Sequence, residues 1–339
     1  MSSTAPAAST SVLVTGGAGY IGSHAVLALR DAGCRVAVID DLSTGCRVAV
    51  PDGVSFYGGD VADGALVARI IAAEQITAIM HFAGSIIVPE SVTDPLKYYR
   101  NNTAASRALI EAAVIGGVKH FLFSSTAAVY GMPDAMPIAE DSRKAPVNPY
   151  GNSKLMTETM LADVAAVCPM NFGALRYFNV AGADPAGRGG QSTAAATHLI
   201  KVAVEAVLGK RSGVGVYGTD YATPDGTGVR DYIHVSDLAD AHVATLAALI
   251  AEPTRSLTLN CGYARGFSVL EVLDAVDRVA GVQVQRTMSP RRAGDPAELV
   301  ADNRRILATL DWQPKRADLD TIVADALAWE RKLAGLTNR

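Results

Sequence analysis

The feature that most restricts the fold is a glycine-rich segment near the start of the chain, TGGAGYIG at residues 15–22. It follows a short β-branched run at residues 12–15 and precedes an apolar, helix-like stretch at residues 21–32. A strand, a glycine turn and a helix in this order are typical of a dinucleotide-binding sheet, because the glycines let backbone N–H groups approach a pyrophosphate. The glycines with the required spacing are Gly16, Gly19 and Gly22. In this context the segment predicts a dinucleotide site.

Short apolar runs alternate with helical stretches as far as residue 178. Continuous apolar runs are typical of parallel strands that are covered on both faces. The predicted strands are residues 12–15, 35–40, 54–57, 77–82, 120–124 and 173–178. The predicted helices are residues 21–32, 64–74, 95–116 and 150–167. The pattern therefore predicts an α/β fold with a Rossmann-type, doubly wound parallel sheet.

After residue 178 the chain becomes rich in Gly, Pro and Asp, and a smaller mixed α/β domain is expected there. The predicted strands are residues 229–235, 256–260 and 282–288, and the predicted helices are residues 195–208, 237–251, 268–280 and 318–333. We expect a flexible tail at residues 1–11, a dinucleotide-binding domain at 12–178 and a substrate domain at 179–339. One strand between residues 229 and 260 is expected to return to the main sheet.

Composition excludes several classes of protein. With 49% hydrophobic and 19% charged residues the chain is globular, and its net charge of −4 argues against nucleic-acid binding. Four scattered cysteines without a CxxC pair predict neither a metal site nor disulfides. The sequence has no run of 18 apolar residues and no signal-peptide pattern, so we expect no membrane association and a cytoplasmic location.

Asp40 ends the second predicted strand, about 20 residues beyond the glycine turn. An acid at this position holds the ribose hydroxyls of a dinucleotide and repels a 2′-phosphate, which favours NAD over NADP. The alternative is a solvated turn acid without a ligand.

Tyr150 and Lys154 lie four residues apart in a predicted helix, so their polar ends share one face. Tyrosine has a pKa near 10, but a nearby ammonium and a positively charged nicotinamide ring would both favour the phenolate. A third hydroxyl is expected within residues 124–126, at the end of the preceding strand. These residues predict an enzyme that moves a hydride to NAD while the tyrosine handles the proton; capping and turn chemistry is the alternative.

The order of motifs resembles the extended short-chain dehydrogenase/reductase family and, within it, the UDP-sugar 4-epimerases. The resemblance runs from residue 12 to about residue 312, and DGTGVRDYIHV at residues 225–235 is its narrowest motif. The other motifs are residues 12–24, 81–84, 98–102, 123–131 (FSSTAAVYG), 149–155 (PYGNSKL), 175–179 (LRYFN) and 291–295 (RRAGD).

The resemblance implies a set of site residues and a homodimer formed through the helices predicted at residues 95–116 and 150–167. The implied catalytic residues are Thr126, Tyr150 and Lys154. The implied cofactor-binding residues are Gly16, Gly19, Tyr20, Ile21, Gly22, Asp40, Asp41, Asp60, Val61, Phe82, Ala83, Gly84, Asn101, Ser124, Tyr150, Lys154 and Phe178. The implied UDP-sugar-binding residues are Thr126, Asn179, Tyr217, Arg230, Arg292 and Asp295.

The implied reaction is oxidation of the sugar at C4 to a 4-keto form, followed by hydride return to the opposite face. Ile86 stands where some relatives have a lysine, and Leu299 stands where side-chain size is thought to control acceptance of an N-acetyl group. UDP-N-acetylglucosamine or a UDP-pentose therefore remains an alternative substrate. A dehydratase or decarboxylase is a further alternative, although residues 125–128 offer no acidic pair, and a non-catalytic NAD sensor is the last.

Overall fold

A computed structural model describes residues 10–193, 196–292 and 294–337. In chain order the strands are β1 (Ser11–Thr15), β2 (Arg35–Asp40), β3 (Ser55–Gly58), β4 (Ala78–His81), β5 (His120–Thr126), β6 (Asn171–Tyr177), β7 (Asn179–Ala181), β8 (Val214–Tyr217), β9 (Val229–His234), β10 (Leu257–Cys261), β11 (Gly266–Ser268), β12 (Arg286–Ser289) and β13 (Glu298–Leu299). The α-helices are α1 (Tyr20–Asp31), α2 (Gly64–Ala73), α3 (Val88–Thr93), α4 (Pro95–Tyr98), α5 (Ala105–Ile115), α6 (Pro149–Val167), α7 (Leu199–Val207), α8 (Val235–Ala251), α9 (Val269–Ala280), α10 (Arg304–Thr309) and α11 (Leu319–Thr337). Short 3₁₀ turns lie at Arg47–Ala49 and Ala127–Tyr130.

The centre of the fold is a seven-stranded sheet in the order β3-β2-β1-β4-β5-β6-β10. Each neighbouring pair in it is parallel. The chain winds outward from β1 in one direction and from β4 in the other, so a crevice opens where β1 meets β4. The predicted α/β class and the doubly wound parallel sheet are confirmed.

The two faces of the sheet are covered by different helices. Successive side chains of a strand point to opposite faces, and Val12 and Val14 accordingly belong to one apolar cluster while Leu13 belongs to another. Helices α1 and α8 lie against each other on the first face, and α2, α5 and α6 cover the second. Because α8 and β10 come from beyond residue 178, the second half of the chain completes the main sheet.

The smaller part of the fold surrounds β9. This strand pairs with β11, β13 and β7, and the parallel pair β8–β12 lies beside that sheet. Helices α7, α9 and α11 contact one another around a separate apolar cluster that includes Val272 and Ile322. A strand between residues 229 and 260 was expected to return to the main sheet. Strand β10 does so by pairing with β6, whereas β9 belongs to the smaller sheet.

Local interruptions account for several differences from the sequence predictions. The helix predicted at residues 95–116 is divided, because Asp94 caps α4 and a π-helical segment, Tyr99–Ala104, separates α4 from α5. Helix α3 was not predicted. The helix predicted at residues 195–208 begins at Leu199, and Ala195 lies outside the described residues.

The predicted tail is too long by two residues. Ser11 is buried in β1 opposite Arg35, and the carbonyl oxygen of Thr10 accepts a hydrogen bond from the Arg35 N–H. The rest of the predicted tail, residues 1–9, lies outside the described residues.

Among the described residues, no helix has both the length and the apolar character needed to cross a bilayer. The four cysteines, Cys34, Cys46, Cys168 and Cys261, are free thiols.

Candidate active site

The glycine turn between β1 and α1 has no room for side chains. Gly16 has a φ of +67°, and a Cβ there would lie 2.7 Å from the Ala83 nitrogen. A Cβ at Gly22 would lie 2.1 Å from the Gly16 carbonyl oxygen, far inside contact distance. Gly19, at the N-cap of α1, has no side chain with which to cap the helix. The first turn of α1 therefore presents backbone N–H groups, and the positive end of its dipole, at the carboxyl edge of the sheet.

Asp40 lies at the same edge, where β2 ends. Its carboxylate is 7% exposed and accepts hydrogen bonds from the N–H groups of Ala18 (2.9 Å) and Leu42 (2.8 Å). Burial raises the pKa of Asp40, and the two backbone hydrogen bonds oppose that rise. The carboxylate is thus held beside the glycine turn, with lone pairs left to accept hydroxyl groups.

The remaining predicted cofactor residues continue along this edge. Asp41 and Asp60 are exposed and accept hydrogen bonds from backbone N–H groups two residues ahead, which stabilises the turns after β2 and β3. Val61 is buried. The Asn101 amide donates to the Ser85 hydroxyl at 3.1 Å, which joins the π-helical segment to the loop after β4. That loop also contains Phe82, Ala83 and Gly84, and Tyr20 and Ile21 begin α1.

Helix α6 presents Tyr150 and Lys154 to the end of β5. The helix begins where it does because Asn148 caps it, its Oδ1 accepting from the Gly151 N–H at 2.8 Å, and because Pro149 suits the first turn. Tyr150 is 9% exposed and Lys154 is 3% exposed. Thr126 ends β5 and lies near enough to Tyr150 to lower the pKa of its hydroxyl group. The structure therefore brings the three predicted catalytic residues together.

The electrostatics of this group are dominated by burial. Burial raises the pKa of Tyr150, and Thr126 offsets only part of that rise. Burial also lowers the pKa of Lys154 to about 8. The Lys154 Nζ donates to the Ser124 carbonyl oxygen at 3.0 Å and lies 4.9 Å from the Phe123 ring centre. Among protein groups, desolvation therefore outweighs the effect of Thr126, and the pKa of Tyr150 is raised where the sequence analysis expected it to be lowered.

Tyr177 is a site residue that the sequence analysis missed. It ends β6 directly opposite Thr126, and its hydroxyl is hydrogen-bonded to the Ser124 hydroxyl. The neighbouring Phe178, which the sequence analysis predicted near NAD, packs against the cluster that includes Tyr130. The missed signal is strand register, because residues paired across the ends of β5 and β6 must lie side by side.

A second group of predicted residues lies in the smaller part of the fold, on β7, β8 and β9 and in the segment before β13. Arg230 forms a short ion pair with Asp295, and its Nη2 also donates to the Pro296 carbonyl oxygen at 2.9 Å. The Arg292 guanidinium lies 3.8 Å from the centre of the Tyr217 ring. Asn179 begins β7, which pairs with β9. The group has two guanidinium groups and one aromatic face, as an anionic nucleotide would require.

Leu299 links the two groups of residues. It lies opposite Arg230 in the β9–β13 pair, and its side chain packs against the cluster of Ala127, Val129, Tyr130 and Ile138 that follows Thr126. Ile86 is 52% exposed in the loop after β4. A ligand reaching from Tyr150 to Arg230 would therefore pass Leu299.

The carboxyl ends of β1 and β2 carry the groups that a dinucleotide needs. A cradle that a single Cβ would fill, an uncapped helix N-terminus and a buried carboxylate follow one another along the carboxyl ends of β1 and β2. This is the donor and acceptor set that a pyrophosphate and a ribose diol require. The residues fit the cofactor predicted from sequence.

Comparison with known proteins agrees with this geometry. Residues 12–262 match the family described as the NAD dependent epimerase/dehydratase family. The UDP-glucose 4-epimerase of Azospirillum brasilense is 57% identical over 327 residues, which cover 96% of this chain and 94% of that protein.

Solved structures are similar over almost the whole chain. The UDP-glucose 4-epimerase from Brucella ovis, in complex with NAD, has a TM-score of 0.91 and 42% identity and covers 94% of this chain and 98% of its own. The enzyme from Bifidobacterium longum, in complex with NAD+ and UDP, has a TM-score of 0.90 and 38% identity, with 95% and 98% covered.

Lys154→Met should stabilise the nucleotide-free protein at pH 7. The pKa of Lys154 falls from 10.5 unfolded to about 8 folded, so burial of its charge destabilises the fold fully below pH 8 and not at all above pH 10.5. Removing that charge should raise the free energy of unfolding by about 2 kcal/mol, after subtracting the lost bond to Ser124. Denaturant unfolding at pH 7 and pH 10 measures this, and the advantage should shrink as pH rises.

The exposed Lys119 provides the matched control, since Lys119→Met should change stability little at either pH. A Lys154→Met variant less stable than the wild type at pH 7 would contradict the prediction.

Proposed function

Because this chain belongs to the NAD dependent epimerase/dehydratase family, we propose that it interconverts UDP-glucose and UDP-galactose by NAD-dependent epimerisation at C4. The observation that carries this proposal is the position of the Tyr150–Thr126 pair. Thr126 ends β5 at the edge of the sheet that also carries the glycine turn, and Leu299, which packs against the cluster that begins at Ala127, is the strand partner of Arg230.

NAD would be held along the carboxyl edge of the sheet. The first turn of α1 would bind the pyrophosphate, and Asp40 would accept the adenosine ribose hydroxyls. Asp60 and Val61 would flank the adenine, while Asn101, Ser124 and Tyr177 would lie on the nicotinamide side. When bound, NAD supplies a reversible hydride acceptor for the sugar C4.

The protein's own groups would move the proton. Tyr150 Oη would take the proton of the sugar 4-hydroxyl, and Thr126 Oγ1 would hydrogen-bond the same oxygen. Lys154 would stabilise negative charge on Tyr150 from a position fixed by its bond to Ser124. Since Tyr150 and Lys154 are almost completely buried, bulk water would be excluded from the proton transfer.

Arg230 and Arg292 would hold the UDP moiety. The Arg230 side chain is 13% exposed, and Asp295 and the carbonyl oxygens of Val229 and Pro296 hold its guanidinium group in one position, from which its positive charge would attract a diphosphate. Arg292 and Tyr217 would present a stacked cation and ring, and Asn179 would add an amide. A tether at the UDP group would leave the sugar free to turn beside Tyr150 and present its opposite face.

An assay with UDP-galactose, followed by chromatography of UDP-glucose without added NADH, tests the proposal. Conversion without external reductant is expected, because the reaction is redox-neutral. UDP-N-acetylglucosamine and a UDP-pentose belong in the same panel, since Leu299 borders the path of the sugar. Absence of any 4-epimer, or formation of a dehydrated product, would overturn it.

We also propose that the chain divides functionally at residue 178. Strands β1 to β6 and helices α1 to α6 precede that point, whereas the guanidinium groups proposed to hold UDP follow it. Helix α8 and strand β10 are the parts of the second half that join the sheet. The cytoplasm is the proposed location, in keeping with four free thiols.

A second copy of the chain is the proposed partner, bound through α4, the π-helical segment, α5 and α6, which cover the helices predicted at residues 95–116 and 150–167. Leu96 in α4 and Met156 in α6 are 76% and 45% exposed, and Val92 in the preceding helix α3 is 63% exposed. Small alanines such as Ala104 and Ala162 are also exposed there and would allow two helix pairs to approach closely.

Tyr150→Phe should reduce kcat by about 10²- to 10⁴-fold while the fold and the NAD content remain. The variant keeps the ring and removes only the hydroxyl that lies near Thr126. Turnover assays, circular dichroism and quantitation of released NAD measure the three quantities. Near-normal turnover would rule out Tyr150 as the proton acceptor.

Purified protein should release NAD or NADH on denaturation, with little NADP. A ribose 2′-phosphate would bring about two negative charges against the buried Asp40 carboxylate, at a cost of a few kcal/mol. Chromatography of the released nucleotide gives the answer. NADP as the main species would contradict the role of Asp40.

Light scattering at micromolar concentration should give twice the chain mass of 35.3 kDa. Leu96→Glu and Met156→Glu should lower the mass to that of one chain, because each places a charge in the proposed interface. Val48→Glu is the matched control, since Val48 is 94% exposed on the 3₁₀ turn after β2, away from these helices. A monomeric wild-type protein, or a control that dissociates equally, would count against the interface.

A further inference from the structure

Helix α6 carries a third polar residue on the face that holds Tyr150 and Lys154. Glu158 lies one turn beyond Lys154 and two turns beyond Tyr150, so the three side chains follow one another along the helix. Glu158 is 7% exposed and does not belong to the group proposed to touch the cofactor or the sugar. Its buried carboxylate therefore needs another explanation.

The Glu158 carboxylate joins α6 to the two strands that carry the rest of the site. Its Oε1 accepts from the Ser125 hydroxyl and from Arg176 Nε (2.9 Å), and its Oε2 accepts from Arg176 Nη2 (2.6 Å). Ser125 and Arg176 are directly opposite each other in the β5–β6 pair. One side chain thus fixes the helix against both strands at a single level.

The residues next to these contacts are the ones that face the reaction. Ser125 lies between Ser124, whose carbonyl oxygen accepts a hydrogen bond from Lys154, and Thr126, which lies near Tyr150 and lowers its pKa. Arg176 precedes Tyr177, which is bonded to Ser124. A shift of α6 along β5 by a fraction of a helical turn would therefore separate Tyr150 from Thr126.

Stability alone is a poor reason for this ion pair. The Arg176 and Glu158 side chains are only 4% and 8% exposed, and burial of two charges often stabilises a fold no more than apolar side chains of the same volume. Burial by itself would lower the pKa of Arg176, but the hydrogen bonds and charge of Glu158 raise it. The two parallel hydrogen bonds from Arg176 to Glu158 instead fix the distance and orientation of α6 relative to β6.

We propose that Glu158 is a positioning residue for the epimerisation: by joining Ser125 and Arg176, it sets the distance between Tyr150 and Thr126. The assignment rests on the proposed function of Tyr150 as proton acceptor. It predicts that loss of Glu158 changes the catalytic step more than it changes substrate binding.

Glu158→Gln and Ser125→Ala test this in the NAD-bound protein. Arg176 is less suitable, because it also donates to the Tyr130 hydroxyl (2.9 Å) and the Glu140 carbonyl oxygen (3.1 Å). Glu158→Gln should lower kcat between about tenfold and a hundredfold, with KM changed less than about twofold, as expected for a small misplacement of a reacting group. Ser125→Ala removes one hydrogen bond to the carboxylate and keeps the two bonds from Arg176, so it should lower kcat less, with a melting temperature close to that of the wild type.

Glu330→Gln is the matched control. Glu330 is 2% exposed in α11 and is paired with Lys201 and Lys210, far along the chain from α6. Its substitution should lower the melting temperature as Glu158→Gln does, but should leave kcat unchanged. Comparison of the two variants separates the effect of losing a buried ion pair on stability from the effect of moving Tyr150 relative to Thr126 on kcat.

Titration of Tyr150 gives a readout that does not require turnover. The nearby Thr126 lowers the pKa of Tyr150, so separating the two should move the phenolate absorbance, and the acid limb of kcat, to higher pH in Glu158→Gln and Ser125→Ala. Lys154, Tyr98 and Tyr177 also titrate next to Tyr150, and a Tyr150→Phe background identifies its signal.

The outcomes are distinct. A wild type that epimerises no UDP-sugar would refute the proposed function, while the titration of Tyr150 would still test the positioning. The inference is overturned if Glu158→Gln folds and keeps the kcat and Tyr150 titration of the wild type. If Glu158→Gln does not fold, a folded Ser125→Ala with unchanged kcat and titration overturns it instead.

Discussion

The close packing of α1 on the turn that precedes it is the constraint on which the rest of the site depends. Gly22 and the Gly16 carbonyl oxygen approach so closely that a Cβ at Gly22 would lie 2.1 Å away. This contact points the N-terminus of α1 at the carboxyl edge of the sheet, next to Asp40. Because the strands are parallel, their carboxyl ends all reach that edge, where Asp40 ends β2, Thr126 ends β5 and Tyr177 ends β6.

Burial of polar groups is a second constraint on the site. Tyr150 and Lys154 are removed from water, and desolvation moves their pKa values in opposite directions, up for the tyrosine and down for the lysine. Each change disfavours the charged form that the proposed reaction uses. The same desolvation strengthens the attraction between a negatively charged Tyr150 and the positive charge of a bound nicotinamide ring. A fold that holds these groups gives up stability, as active sites commonly do.

The two halves of the chain are joined at the level of individual strands. Strand β10 and helix α8 come from the second half and complete the main sheet. In the other direction, Leu299 in β13 packs against the cluster of Ala127, Val129, Tyr130 and Ile138 that follows β5. The proposed UDP-binding residues are therefore fixed relative to Tyr150 by continuous packing, which suits a reaction in which only the sugar has to turn.

The sequence by itself determined the periodic and local parts of this protein. Alternating apolar runs identified the strands of the parallel sheet, and the spacing of Gly16, Gly19, Gly22, Tyr150 and Lys154 identified the turn and the helix face, because these patterns depend on neighbours in the chain. Only the tertiary structure placed Tyr177 against Ser124 and Glu158 against Arg176, since strand register and packing decide which distant residues meet. It also divided the helix predicted at residues 95–116, where a capping aspartate and a π-helical segment interrupt a pattern that periodicity cannot resolve. The tertiary structure also decided that the pKa of Tyr150 is raised, because this shift depends on how completely the surrounding chain removes water from the side chain.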